Sequence, residues 1–491
     1  MKLKHLSTAM ILATLPATGV FAAALDRSGQ SMSAFFQPGN YFEAGISALD
    51  PDVSGKEAGT SATRRNISDM GEDYYFPNAA LKLQLNDKFS FGLIYDQPFG
   101  ADAEYKGQNA FVSDSSNTIL APAALAVIRQ QTITNGINNQ VNTAAQNLLN
   151  SGTLPPNATI DQAKAAIQNN APVMQQITSS VTQAVDAGIN NINGLLGKGG
   201  TKVEVDTQNL AMVFGFQPNK NWNLYAGGVY QTIKGNISLR GQAYSIYNGY
   251  DADIKETGGV GWLAGFAYQI PEIALKASLT YRSEVDHDVN IRENLPTLPA
   301  LSLLGQAAAA DAIKNSSADT TITTPQSVNF DFQTGIMADT VAFANVRWVN
   351  WKDFSVQPYK FGQLSKVVGQ LPIVNRPNGF DLVSYTDDQW TVTTGVGRKL
   401  TDKWAGNVSV GWDSGAGDPV TTLGPTEGYW NVGLGLQYSP TPQTFIAGGV
   451  KYFWLGDAKA QTGAQAGGDE YVAEFSDNNA IAYGLKLGYK F

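Results

Sequence analysis

The last residues alternate strictly. Ile481, Tyr483, Leu485, Leu487, Tyr489 and Phe491 share one parity, while Ala482, Gly484, Lys486, Gly488 and Lys490 share the other. Successive side chains of a strand point to opposite faces, so this segment reads as a β-strand with one apolar face. The pattern returns along the chain. Leu81, Leu83 and Leu85 alternate with Lys82, Gln84 and Asn86. Ile273, Leu275, Ala277, Leu279 and Tyr281 alternate with Lys276, Ser278, Thr280, Arg282 and Glu284. Val328, Phe330 and Phe332 do so with Asn329, Asp331 and Gln333, and Trp430, Val432, Leu434, Leu436 and Tyr438 with Asn431, Gly433, Gly435 and Gln437.

The connections separate a soluble sandwich from a membrane barrel. Short turn signals stand at Asn86-Asp87, Pro218-Asn219-Lys220, Pro271-Glu272, Ala338-Asp339, Thr401-Asp402 and Pro440-Thr441-Pro442. Long connections fall at about 53–76, 107–201, 241–253, 292–325, 358–383, 414–426 and 458–478. Short turns at one end and long loops at the other are the habit of outer-membrane barrels. The expectation is an all-β, transmembrane antiparallel barrel of about fourteen strands over 41–491, an even number as bacterial single-chain barrels have. The aromatic Phe491 closing such a strand fits the terminal signal of those barrels.

The other end supports that compartment. Lys2 and Lys4, the apolar run 9–20 and the small residues Ala22, Ala23 and Ala24 form a three-part secretory signal. The signal peptide is expected at 1–23 and a short N-terminal hatch at 24–40. No later run approaches the roughly 20 apolar residues of a spanning helix. A mean hydropathy of -0.17 suits strands that alternate lipid-facing and lumen-facing residues. With no cysteine there is no disulfide framework, and a net charge of -9 argues against nucleic acid as a partner. The stretch 113–200 breaks the strand pattern: it is rich in Ala, Asn and Gln, with Ile160, Ala163 and Ile167, then Ile177, Val181 and Val185, at helical spacing. A helical extracellular excursion is expected over about 107–201. Segments 123–128 and 295–313 are apolar for exposed loops, which fits either a binding surface or helices packing on one another.

With these strands in place, the chain resembles the FadL family of outer-membrane transporters of long-chain fatty acids and hydrocarbons. The resemblance runs in strand order from about Ala24 to Phe491. It is carried by Leu279-Thr280-Tyr281-Arg282-Ser283-Glu284-Val285, Trp348-Val349-Asn350-Trp351-Lys352-Asp353-Phe354, Asp50-Pro51-Asp52-Val53 and Asn86-Asp87-Lys88-Phe89-Ser90-Phe91-Gly92. It implies a fourteen-stranded monomeric barrel plugged by a hatch, capture of substrate between outer loops, and sideways release beside a kinked third strand. Here that strand runs Phe89, Phe91, Leu93, Tyr95 and then meets Pro98, Phe99 and Gly100. Proline removes a ladder donor and glycine marks a bend, so these three residues are the expected lateral gate; a plain strand end at the rim is the alternative. The hatch is shorter than the family's, with Gln37-Pro38-Gly39 where its Asn-Pro-Ala motif falls, and Phe35 and Phe36 are the residues expected to plug the lumen.

Transport of this kind needs no bond-making group. It needs an apolar path, where each buried methylene gains about 0.8 kcal/mol, and a cation for a carboxylate head. The expected lumenal cations are Lys234, Arg240, Arg282, Arg347 and Lys360. Lys360 stands where the resemblance places a substrate-carboxylate lysine, and Lys234 and Arg240 close a strand resembling another basic position. Arg282 and Glu284 share a strand face, which also predicts an internal ion pair. An enzyme is not expected. His287, the one histidine beyond the signal, has lipid-facing parity, so it cannot serve a Ser-His-Asp site. Neither a metal cluster nor a nucleotide fingerprint appears, and no cofactor is expected. The expected function is a passive outer-membrane channel for hydrophobic compounds, foremost long-chain fatty acids. The alternatives are aromatic-hydrocarbon uptake, a general porin, and an adhesin using its long loop.

Overall fold

The computed structural model describes residues 26–372 and 374–491; the expected signal peptide, 1–23, lies outside them. Fourteen strands make the wall. They are β1 (Tyr41–Asp52), β2 (Tyr74–Gln84), β3 (Phe89–Asp96, continued by Gly100–Glu104), β4 (Lys202–Phe216), β5 (Trp222–Leu239), β6 (Tyr250–Ile270) and β7 (Leu275–Arg282). The second half holds β8 (Ser327–Met337), β9 (Thr340–Val349), β10 (Gln389–Lys399), β11 (Trp404–Asp413), β12 (Tyr429–Tyr438), β13 (Thr444–Leu455) and β14 (Asn479–Lys490).

Each strand pairs antiparallel with its sequence neighbours, and β14 returns to β1 with Lys490 opposite Tyr41. Closure gives every wall strand a partner on both sides, interrupted between β2 and β3 and between β6 and β7; hydrocarbon demands such pairing because it offers no hydrogen bonds. At the closing seam Lys486 Nζ meets Glu43 Oε1 at 3.0 Å, both side chains nearly buried. The short turns all fall at one end and the long loops at the other, as the sequence predicts.

Outward positions carry the apolar parity: Trp430 is 60% exposed and Leu434 61%, although neither faces a protein neighbour. On β12 this band spans Trp430 to Tyr438, about 20 Å along the barrel axis at a strand tilt of ~40°. Aromatic pairs bound it. Trp348 stands opposite Trp390, and Trp412, Trp430 and Trp454 lie side by side near the loop end. Trp404 and Tyr438 pack at 4.7 Å near the turn end. Amphipathic rings settle at membrane interfaces, so the two girdles mark the bilayer edges.

The loop between β3 and β4 is helical: α1 (Pro122–Asn150), α2 (Ile160–Gln168) and α3 (Ala171–Asn193). Their own small core of Val141, Ala145, Ala163 and Ile167 explains the helical spacing of those apolar residues. α1 is about 43 Å long at 1.5 Å per residue. Thr159 caps α2 and Asn170 caps α3, each hydroxyl or amide oxygen accepting a backbone N–H. Segments 295–313 fold as a 3-10 turn (Leu298–Leu304) and α4 (Ala307–Asn315), with Leu298, Leu301, Ala310 and Ile313 buried in the outer cap. Those apolar residues therefore serve cap packing.

Candidate functional site

Residues 26–40 lie inside the barrel and form its floor. Phe35 is buried, edge-on to Tyr225 at 5.7 Å and to Phe36 at 6.0 Å. Two wall glycines make room for it: a Cβ at Gly92 would come 2.6 Å from Phe35 Cδ2, and one at Gly215 2.9 Å from Cζ. The wall holds this hatch with cations. Lys82 Nζ donates to the Gly39 carbonyl at 2.8 Å, and Lys276 Nζ to that of Phe36 at 3.2 Å.

A polar clamp sits on the other side of Phe35. Arg347 donates to both carboxylate oxygens of Asp26, at 2.7 and 3.2 Å, and to Asn329 Oδ1 at 2.8 Å. Asn329 in turn donates to the Gly29 carbonyl at 2.7 Å. Arg282 Nη2 donates to the Gln30 carbonyl at 3.2 Å. Arg347 and Asp26 are 3% and 5% exposed, so neither charge can stand without the other.

The wall opens beside this floor. The β2–β3 ladder ends at Ala79 opposite Tyr95; beyond it Gly71 bridges to Ala103, and the Tyr74 hydroxyl donates to the Asp102 carbonyl at 2.9 Å and accepts from the Asp102 amide at 2.6 Å. Thr207 from β4 wraps the break: its hydroxyl accepts from Phe99 N at 2.9 Å and donates to the Phe99 carbonyl at 2.7 Å. Phe99 then turns inward, 2% exposed. The hatch reaches into the gap. Arg27 N donates to the Pro98 carbonyl at 2.6 Å, Asp26 bridges to Phe99, and Ser28 hydrogen-bonds Asp96. The Arg27 guanidinium stacks 4.1 Å from the centre of the Tyr74 ring and lies 3.5 Å from Asp206. It fills the space that a Cβ at Gly100 would take.

Above the gap the interior is aromatic. Phe99 packs edge-on to Trp351 at 5.4 Å, which in turn meets Phe354 and Tyr385. Tyr429 and Phe453 continue this apolar cluster, and Tyr247, Tyr250, Phe361 and Phe380 roof it. So the interior has an apolar upper part reaching the gap and a charged floor below it.

A closed antiparallel barrel of this order matches a known family. The profile described as outer membrane protein transport protein (OMPP1/FadL/TodX) matches residues 105–491. The chain belongs to that family. The FadL/TodX family comprises transport channels, not enzymes, and its barrels stand in the outer membrane. In fold the chain is similar to a FadL homologue from Pseudomonas aeruginosa, with a TM-score of 0.57, 12% identity, and 94% of this chain and 92% of the other covered. It is also similar to the toluene transporter TodX from Pseudomonas putida, with a TM-score of 0.51, 11% identity, and 93% and 91% covered. No curated protein matches the sequence.

Several expected site residues of this FadL/TodX-family channel lie elsewhere than in the lumen. Lys234 projects from the outer face of β5, 3.8 Å from Asp206, in step with the outward Trp222, Leu224 and Tyr230. Strand parity already carried that signal. Arg240 is spent on the carbonyls of Lys198, Leu239 and Tyr250 and on Asp251. Lys360 starts α5 (Tyr359–Gly369) in the outer cap, where its amide donates to Glu293 Oε2 at 2.7 Å and its Nζ to the Lys314 carbonyl at 3.1 Å. Burial raises the Glu293 carboxyl above the usual range, against the hydrogen bonds it accepts from that helix start and from Tyr250. The Arg282–Glu284 pair does not form: Glu284 is exposed, while Arg282 turns to the hatch. His287 is fully buried against Gln231 inside the barrel, not in lipid. Phe35 and Phe36 meet each other and Tyr225 in the hatch, while Pro98, Phe99 and Gly100 meet Asp26 and Arg27 at the gap. Asp26, Arg27 and Asn329 escape the sequence reading, because strand parity does not show partners brought together by the folded-back hatch, across 321 positions for Asp26–Arg347, 300 for Asn329–Gly29 and 179 for Arg27–Asp206.

Proposed function

We propose that this channel takes up long-chain fatty acids, collects them in the aromatic interior and releases them sideways between β2 and β3. One observation carries this reading: the apolar interior meets the wall at the broken ladder, while the way straight down ends on the Asp26–Arg347 clamp and Phe35. Once Arg27 withdraws from the gap, a hydrophobic molecule loses nothing by turning into lipid there. It would lose about 0.8 kcal/mol per methylene by crossing the polar floor.

Arg282 supports a carboxylate head. It is 4% exposed, and its Nε and Nη1 have no partner in the structure. Buried donors without acceptors are costly, and an anionic head group would satisfy them. Of the expected cations, Arg282 is the one with buried side-chain donors left without a partner, beside the hatch. A second reading, uptake of neutral aromatic hydrocarbons, draws on the aromatic lining and on the likeness to the toluene transporter.

Uptake of a labelled long-chain fatty acid and of labelled toluene should be compared in cells lacking their own transporters. Fatty-acid uptake that falls at least tenfold in Arg282→Met, with toluene unchanged, supports the first reading. Toluene uptake alone favours the second. Neither compound entering above the empty vector, with small sugars entering faster, leaves a porin.

A further inference from the structure

The ladder between β6 and β7 is interrupted in a way that β3's kink is not. It runs from Ile270 opposite Leu275 to Leu263 opposite Arg282, stops, and resumes from Ile254 opposite Ile291 to Asp251 opposite Asn294. Eight residues on each strand lie between the two paired parts. The register is therefore the same on both sides. A bulge that belongs to one strand would shift it.

The missing segment of β7 has not unfolded. Val285–Val289 pairs with Thr320–Thr324, in the register that β7 and β8 keep below it. This hairpin has left the wall and tucked against its inner surface. A Cβ at Gly259 would come 2.7 Å from Val285 Cγ1, and one at Gly261 2.8 Å from Val285 Cγ2. Gln231, on the inner face of β5, accepts from Thr324 Oγ1 at 2.6 Å and contacts His287 Nε2 at 3.1 Å. The edge of β6 is left without its ladder, and Val260 on its outer face is 76% exposed.

Side-chain parity fits the vacant place. With the hairpin returned to the wall, Val285, His287 and Val289 continue the outward series of Leu279 and Tyr281. Asp286 and Asp288 then continue the inward series of Thr280 and Arg282. Both the hydrogen-bond register and the alternation are in phase with a strand that the structure does not complete.

We infer that the Val285–Val289 hairpin is an inner gate with two positions. In one it is tucked behind β5 and β6 and narrows the lumen; in the other it is zipped into the wall as the missing part of β7. Its effect on solute passage rests on the channel reading above, but its movement does not.

The chain has no cysteine, so a designed pair reports the zipped state cleanly. Register places Val260 opposite Val285 in that state. In the tucked state Val285 lies against the inner face while Val260 points outward, an orientation no disulfide spans. Val260→Cys/Val285→Cys in outer membranes should lose its free thiols under mild oxidant. The Ala264→Cys/Tyr281→Cys pair, already opposed in the ladder, is the control that forms in any folded barrel. Adding Gln231→Ala, which removes both tethers, should raise the rate of the test pair at least threefold without altering the control. A control pair that oxidises while the test pair keeps its thiols overturns the inference. So does a test pair whose rate ignores Gln231→Ala, because the tucked position is then not held by those two contacts. Both readouts count thiols, so they stand whether or not the protein carries fatty acids.

Discussion

Removing Asp26 tests whether the floor is held by charge. The Asp26–Arg347 pair has two short hydrogen bonds, 2.7 and 3.2 Å, between side chains 5% and 3% exposed. Breaking one side of a buried pair costs about 3–5 kcal/mol, because the survivor is stranded. Arg347 keeps Asn329 Oδ1 at 2.8 Å and Gln30 Oε1 at 3.2 Å, which places Asp26→Ala near the lower end. At about 1.4 kcal/mol per decade, a cost of ~3 kcal/mol favours the undocked hatch by roughly a hundredfold. Amide exchange over residues 26–36 should accelerate by that order, and single-channel recordings should show new conducting events. Asp26→Ala/Arg347→Met removes both charges and should recover most of the protection. Unchanged exchange in the single variant, or a double variant as damaged as the single, would refute the clamp.

Three further expectations follow from other parts of the molecule. Gly100→Val puts a side chain where the Arg27 guanidinium lies, so the Arg27–Tyr74 stack should be lost and hydrophobic dye should enter lipid faster from loaded barrels. Glu427, in the outer loop between β11 and β12, has its carboxyl pushed up to about 7, first by burial and then by Asp418 and Asp413, against the amide hydrogen bonds of Gly417 and Ala416. A carboxyl raised in the fold opposes folding as pH climbs from its unfolded value of 4.5 through 7, by at most roughly 3 kcal/mol. Exchange over 414–428 should thus be faster at pH 8 than at pH 5, and Glu427→Gln should abolish the difference. Replacing the helical arm 122–193 by a short linker should leave a heat-modifiable barrel but cut fatty-acid uptake if the arm helps capture. In a porin the same deletion would only increase leak.

Much of this architecture is legible in the sequence because a lipid-facing wall imposes period two on every strand. β14 and β12 can be read residue by residue, and the sorting of short and long connections orients the barrel. The helical arm is legible through a different period, since Ala163, Ile167 and Val181 are buried at helical spacing. The site is less so. Parity puts Arg282 and Arg347 inside and Lys234 outside, yet it is silent about partners. Asp26 meets Arg347 across 321 positions, and Arg27 reaches Gly100 and Tyr74 only because the hatch folds back through the barrel. His287 shows the limit most clearly. Its outward parity holds locally, but its hairpin has moved inward, so the residue meets Gln231 where lipid was expected.

The most direct test closes the gap. Continuing the β2–β3 register past Ala79 and Tyr95 sets Pro77 opposite Gln97, both on the outward parity. Uptake of labelled fatty acid should be measured in cells carrying Pro77→Cys/Gln97→Cys, oxidised and then reduced. Sideways release predicts that uptake stops when the disulfide forms and returns on reduction. Undiminished uptake through a fully cross-linked wall would contradict it and send the substrate through the floor.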